Sequence, residues 1–174
     1  MKKIIFSLFV LCILVFGHAQ GQGQLLKQGV KQMAITALMT QLQSNPKLSK
    51  FATLFQAAQV AGLLGSQKSP LTLLAPSNSA IDAAFSKDQL QNLLKPESKS
   101  MLGNLVKNHL ISGAMSAANL GGTSSSTNLL GKALNIGKLA GGALSIGGAS
   151  VTDSDIKTSD GSMIQIIDKV LPNN

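Results

Sequence analysis

The chain has 174 residues, 44% of them hydrophobic, with 15 Lys or Arg against 7 Asp or Glu and a formal net charge of +8. Every cation is Lys, and Trp and Tyr are absent. Nucleic-acid recognition couples clustered Lys and Arg with stacking rings or Arg forks; these scattered lysines, without a block of like charge, exclude that class of partner.

Lys2 and Lys3 precede an apolar run from Ile4 to Phe16, and Gly17-His18-Ala19 places small residues at the two positions a signal peptidase reads. The run is shorter than the roughly 20 residues that span a bilayer. Residues 1–19 therefore read as a bacterial export signal, cleaved after Ala19, leaving no transmembrane segment. Cys12 lies inside the run and not at the cleavage point, which argues against lipid anchoring. Cleavage removes the single cysteine, so the mature chain forms no disulfide and depends on packing. Without Lys2 and Lys3, 13 Lys remain against the 7 acids, a net charge near +6. That balance suits a solvated surface and weak attraction to anionic cell-surface polymers. The remaining length is enough for one domain, expected over residues 25–174 behind a flexible lead at residues 20–24.

Leu25, Leu26, Val30, Met33, Ala34, Ala37, Leu38 and Leu42 recur at three- and four-residue steps, which predicts a helix from about Leu25 to Gln43 with one buried face. Ser44-Asn45-Pro46 breaks it, because the residue before Pro disfavours helix. Ser49 is positioned to cap a second helix carrying Phe51, Leu54, Phe55, Ala58 and Val60, with Gly62 as its stop. Leu71–Ala75 is an apolar strand that ends at Pro76, which lacks an N–H. Ser77, Asn78 and Ser79 turn the chain into a short apolar helix. Ser86 opens another helical stretch with Asp88 in its first turn. Pro96 starts a third major helix, which runs to about Leu110 through Met101, Leu102, Leu105, Val106 and His109.

From Ser112 to Ser150 the chain is rich in Gly, Ser, Thr and Ala. Thr123–Thr127 reads as an exposed loop. Lys132–Gly137 is echoed ten residues later by Gly142–Gly147, and the alternating Leu and Ile predict two strands meeting across Lys138–Gly142. Gly147-Gly148 permits a hairpin into Ala149–Thr152, and Asp160-Gly161 a turn into a last strand, Met163–Asp168. Helices first and short strands later predict an α+β domain.

Three blocks carry a family resemblance. Leu71–Phe85, an apolar strand leading into Ala75-Pro76-Ser77-Asn78, resembles the first signature of the fasciclin domain. Leu105–Leu110 is similar to that family's central Tyr-His segment. Gly161–Pro172 resembles its second signature. They stand in the family's order and cover residues 48–174, leaving residues 25–47 as an N-terminal helical part. Ala80-Ile81 stands where Ala-Phe is usual, Asn108 where Tyr is usual, Gln165 where His is usual, and Gly161-Ser162 where Asn-Gly is usual. The resemblance implies a wedge of two small twisted β-sheets flanked by helices, with the second signature as a central strand. It marks Pro76, Asn78, His109 and Asp168 as mainly structural motif residues.

Catalytic chemistry finds little to work with. His109 is the single mature histidine, on an apolar helix side, where a core role is the ordinary one. No Cys or second His can complete a transition-metal site, and no Ser has a paired base. Asp153 and Asp155 fall on one strand face, with Asp160 near, a pattern ordinary for a hairpin; the fixed calcium-loop pattern is missing. The sequence implies no cofactor, no metal and no enzyme. The resemblance implies an exported binding module, in the periplasm, at the cell surface or outside the cell. Its expected role is adhesion to a cell surface, a polysaccharide or a matrix protein, and self-association is compatible with that role. In animal members of the family, peptides around the matching Ile/Val-Asp segment are implicated in cell adhesion, so the resemblance makes Ile167 and Asp168 the candidate partner contacts. The alternative is a carrier holding a lipid-like or pigment molecule in a helix–sheet cleft, with the methionines as adaptable lining.

Overall fold

A computed structural model describes residues 35–59 and 70–172. The expected export signal, lead and start of the N-terminal helix, together with Val60 and Gly62, lie outside the described residues. In chain order the elements are helix α1 (35–44), a 3-10 turn (Pro46–Leu48), α2 (Ser49–Ala57), β1 (Leu71–Pro76), α3 (Asn78–Ala84), α4 (Lys87–Leu93), a second 3-10 turn (Pro96–Ser98), α5 (Lys99–Asn108), β2 (Leu110–Ser112), α6 (Ala117–Gly121), β3 (Ser125–Thr127), β4 (Ala133–Lys138), β5 (Leu144–Ile146), β6 (Ala149–Lys157) and β7 (Met163–Ile167).

The expected α+β architecture is present. Seven strands form one sheet in the order β2-β1-β7-β6-β5-β4-β3. β1 and β7, second and third in that order, run parallel, with Thr72 opposite Met163 and Pro76 opposite Ile167; the other neighbours are antiparallel. The sheet curls until its two ends almost meet. Ile111 of β2 bridges Asn128 just past β3, and the Leu129 N–H donates to the Leu110 carbonyl at 2.9 Å.

β1 and β7 are apolar almost throughout because both faces of the central sheet are covered. On one face Leu71, Leu73, Ala75, Ile164 and Ile166 pack with Leu38 and Leu42 of α1, Phe51, Leu54 and Phe55 of α2, and Leu102, Leu105 and Val106 of α5. On the other, Leu74 and Ile167 pack with Ile111, Leu120, Leu134, Ile136, Ile146 and Leu171 inside the curl. Each strand thus serves two cores through its two-residue alternation.

Local chemistry sets the element ends. Ser77, Ser86 and Ser116 accept N–H bonds from Ala80, Gln89 and Asn119 and so cap α3, α4 and α6; Ser86 and Gln89 form a reciprocal capping box. Gly147 and Gly148, both at positive φ, make the two-residue turn between β5 and β6. Pro76 is the last residue of β1 rather than its stop. β2 ends opposite Leu73, and the Leu74 N–H bonds the His109 carbonyl. At Pro76 that side of β1 has no ladder partner, so the missing N–H costs nothing.

Several expectations need correction. Ser49 is the first residue of α2, not its cap; its Oγ accepts from Asn78 instead. The third major helix ends at Asn108, and Leu110–Ser112 is strand β2. Met101 is 60% exposed. Ser125–Thr127 is not loop but strand β3, ordered by its ladder to β4. β6 runs on to Lys157 through two register shifts, which carry Asp153 and Asp155.

Candidate functional site

The two cores are joined by a buried polar clamp. His109 follows the last turn of α5 and is 0% exposed. The Leu171 N–H donates to its Nε2 at 3.0 Å, so Nε2 is an acceptor and the proton sits on Nδ1, which donates to the Leu105 carbonyl at 2.7 Å. Phe51 lies against the ring at a centroid distance of 5.9 Å. Burial lowers the His109 pKa from its ordinary 6.5 to about 4, against the opposing pull of the Leu105 carbonyl. Asn108, at the resemblance's tyrosine position, is buried beside it. Its Nδ2 donates to the Leu171 and Pro172 carbonyls at 3.3 and 2.8 Å, and its Oδ1 accepts from Asn128 Nδ2. Asn128 Oδ1 accepts the N–H groups of Leu130 and Lys132 at 3.0 and 2.9 Å. The Leu171–Pro172 segment is therefore held by Asn108 and His109, and Asn128 ties Asn108 to the other side of the almost closed seam. Its Leu171 side chain fills the second core.

The other motif residues also bind inward. Asn78 Oδ1 accepts the Lys50 N–H at 3.0 Å, and Nδ2 donates to the Pro46 carbonyl at 2.9 Å and to Ser49 Oγ at 3.1 Å. One amide thus pins the strand–helix turn to the start of α2. Asp168, half-buried at the end of β7, accepts the Ser150 N–H at 2.7 Å, and its own N–H bonds the Ser150 carbonyl at 3.0 Å. Ile167 is 0% exposed and faces the second core, with no surface for a partner to touch.

The three acids near the hairpins have separate tasks. Asp153 pairs with Lys47 at 2.9 Å. Asp155 sits at φ 61, a left-handed conformation uncommon for a side-chain-bearing residue. It is held there because its Oδ1 accepts from the Ala117 N–H at 2.8 Å and from Gln165 Nε2 at 3.0 Å, while its N–H donates to Gln165 Oε1 at 3.0 Å. Gln165, buried at the resemblance's second histidine position, supplies both the donor and the acceptor that this bulge needs. Asp160 accepts the hydroxyls of Thr158 and Ser162 in its turn. Among the described residues no three His, Cys, Asp or Glu side chains gather as metal ligands. No described helix is long and apolar enough to cross a membrane.

Described residues line two surface grooves. One, of about 350 Å³, lies between α6, the β4–β5 hairpin and β6, and is lined by residues that include Ala117, Gly121, Lys138, Leu144, Thr152 and Ser154. The other, of about 410 Å³, lies between the end of α1 and the sheet, beside Pro46, Leu48, Ile156 and Ile164. Neither is lined by Met39, Met101, Met115 or Met163, so the idea of a methionine-lined cleft gains no support from these positions. Reading the sequence missed the roles of Thr72 and Asn128. Thr72 Oγ1 donates to the Gly113 carbonyl at 2.6 Å and accepts the Met115 N–H at 2.8 Å. Their signal is weak: a Thr within an apolar run, and an Asn at the edge of a Ser/Thr tract.

The comparisons with known proteins agree with this geometry. The family model of the fasciclin domain matches residues 46–173. Protein sll1483 of Synechocystis sp. is 31% identical over 144 residues, covering 82% of this chain and 78% of that protein. The solved FAS1 domain pair of the insect cell adhesion molecule Fasciclin I superposes with a TM-score of 0.55 at 21% identity. That likeness covers 74% of this chain, which spans 46% of the insect chain, and at this identity it speaks for the fold alone. With strands, clamp and family model in agreement over the same residues, the chain belongs to the fasciclin domain family.

Proposed function

We propose that this protein is an exported binding module that attaches to a cell surface, an extracellular polysaccharide or a matrix protein. The observation that carries the reading is the fasciclin domain over residues 46–173, the kind of domain that occurs as a pair in the insect cell adhesion molecule. The internal chemistry is compatible. His109, Asn108, Asn128 and Gln165 are consumed by bonds within the fold, which makes them a scaffold rather than reactive groups. A rigid scaffold of this kind presents loops and grooves to a partner without performing a reaction on it. The signal-like residues 1–19 favour export, and the net charge near +6 that remains without Lys2 and Lys3 favours negatively charged partners. Asp168 belongs to the scaffold in this reading, since its carboxylate is engaged with Ser150.

The test is binding of the purified protein to whole cells and to a glycan array. Saturable attachment to a surface or glycan class is the expected result. Absence of binding on every surface, together with a lipid-like or pigment molecule that co-purifies by mass spectrometry, would favour the carrier alternative.

A further inference from the structure

The groove between α6 and the β4–β5 hairpin mixes aliphatic and polar side chains in its lining. Ala117, Leu144 and Val151 are the aliphatic ones that a ligand would meet beside Lys138. Lys138 is the one charged side chain in its lining. Neither Lys138 Nζ nor Ser154 Oγ has a partner among the described residues, and Thr152 Oγ1 spends its proton on the Ile166 carbonyl at 3.3 Å, leaving its lone pairs free to accept. The groove exists because α6 presents small residues there. A Cβ placed on Gly121 would sit 3.5 Å from Leu144 Cδ1 and 3.6 Å from Lys138 Cε, so a longer side chain would fill the space. Asp155 stands at one end of α6, but its Oδ1 is occupied by Ala117 and Gln165.

We propose that this groove binds a carboxylated sugar unit of an acidic polysaccharide, with the carboxylate on Lys138 and the ring hydroxyls on Ser154 and Thr152. The inference rests on the reading of the chain as a surface-binding module and names the partner's chemistry. One unpaired cation calls for a ligand with one negative charge per unit. Two hydroxyl side chains call for a ligand rich in hydroxyls, and the aliphatic side chains of Ala117, Leu144 and Val151 suit the C–H face of a sugar ring. A phosphate would call for an Arg fork or a nest of backbone N–H groups, and this groove has no Arg. At about 350 Å³ it lies at the small end of the roughly 300–1,000 Å³ range of ligand sites. That size fits a short stretch of chain.

The experiment is an NMR titration of the full isotope-labelled mature chain with a tetramer of galacturonic acid and, in parallel, a tetramer of glucose. Saturable shifts confined to Ala117–Gly121, Lys138, Ala143–Leu144 and Val151–Ser154, seen with the acidic tetramer only, are expected. Lys138→Gln should weaken binding by about two- to fivefold, the value of one charged contact at an exposed position. Ala118→Trp, on the exposed side of α6, should block it, with the melting temperature of both variants unchanged. Equal shifts with the neutral tetramer would overturn the inference. So would shifts spread over Lys87, Lys95 and Lys107, or binding untouched by both substitutions. Cell attachment is measured on the same three proteins. If wild-type protein attaches to cells but ignores the acidic tetramer, the groove inference alone falls; if it attaches to nothing, the underlying reading falls with it.

Discussion

Acid should loosen this protein through one residue. His109 is neutral in the fold, with Nδ1 donating to Leu105 and Nε2 accepting from Leu171. A proton on Nε2 removes the acceptor and places a charge in an apolar pocket. Its pKa falls from 6.5 to about 4 in the fold, so between those values the unfolded chain binds more protons than the folded one. Stability is therefore full above pH 6.5, declines as pH falls through the window, and levels off below about pH 4. At about 1.4 kcal/mol per pKa unit the total loss is about 3 kcal/mol, a large share of the 5–15 kcal/mol typical of a domain. Urea denaturation between pH 7.5 and 4 measures it. With Trp and Tyr absent, unfolding is followed by circular dichroism. His109→Gln, which does not titrate, provides the control and should cost about 1–3 kcal/mol at neutral pH through the broken clamp. The difference between wild type and variant should shrink by about 3 kcal/mol from pH 7 to pH 4, cancelling the carboxylates common to both. Parallel pH profiles for the two proteins would refute the reasoning.

Asn108→Ala should cost about 2–3 kcal/mol, because it removes a buried side chain that bonds Asn128, Leu171 and Pro172 at once; thermal melts check this, and a loss under 1 kcal/mol would show the clamp to be dispensable. Gly147→Ala should be worse than Gly148→Ala, by about 1–3 kcal/mol. Both sit at positive φ, but a Cβ at Gly147 would lie 2.8 Å from Leu171 Cδ2 whereas one at Gly148 meets nothing within 4 Å; equal urea midpoints would contradict the contact. Lys47→Ala should change stability by no more than about 0.5 kcal/mol, since its pair with Asp153 is solvent-exposed.

The fold was largely legible where local pattern and tertiary pairing agree. Leu134, Ile136, Leu144 and Ile146 alternate as strands that bury one face, and all four do so. Gly147-Gly148 reads as a hairpin because only glycine takes two positive φ values without strain. β2 was missed because Leu110 and Ile111 continue the apolar spacing of α5, and three residues cannot declare a new period. β3 was missed because Ser125–Thr127 carries no apolar alternation; its neighbour β4 orders it. The clamp was half legible. His109 reads as a core residue, but its partners are the Leu105 carbonyl and the Leu171 N–H, and backbone groups leave no trace in sequence. The pairing of Asn108 with Asn128 across the seam is likewise invisible without the topology that brings β2 beside β3. The groove beside Lys138 depends on Gly121 lying opposite Leu144, again a product of topology.

The claim that this domain works by attachment is tested most directly by co-sedimentation of the labelled mature protein with bacterial cells over a range of protein concentrations and salt. Saturable binding that unlabelled protein displaces, and that weakens as salt screens the lysines, is the predicted result. Recovery of all the protein in the supernatant at every concentration, from a sample whose circular dichroism shows it folded, would contradict the account.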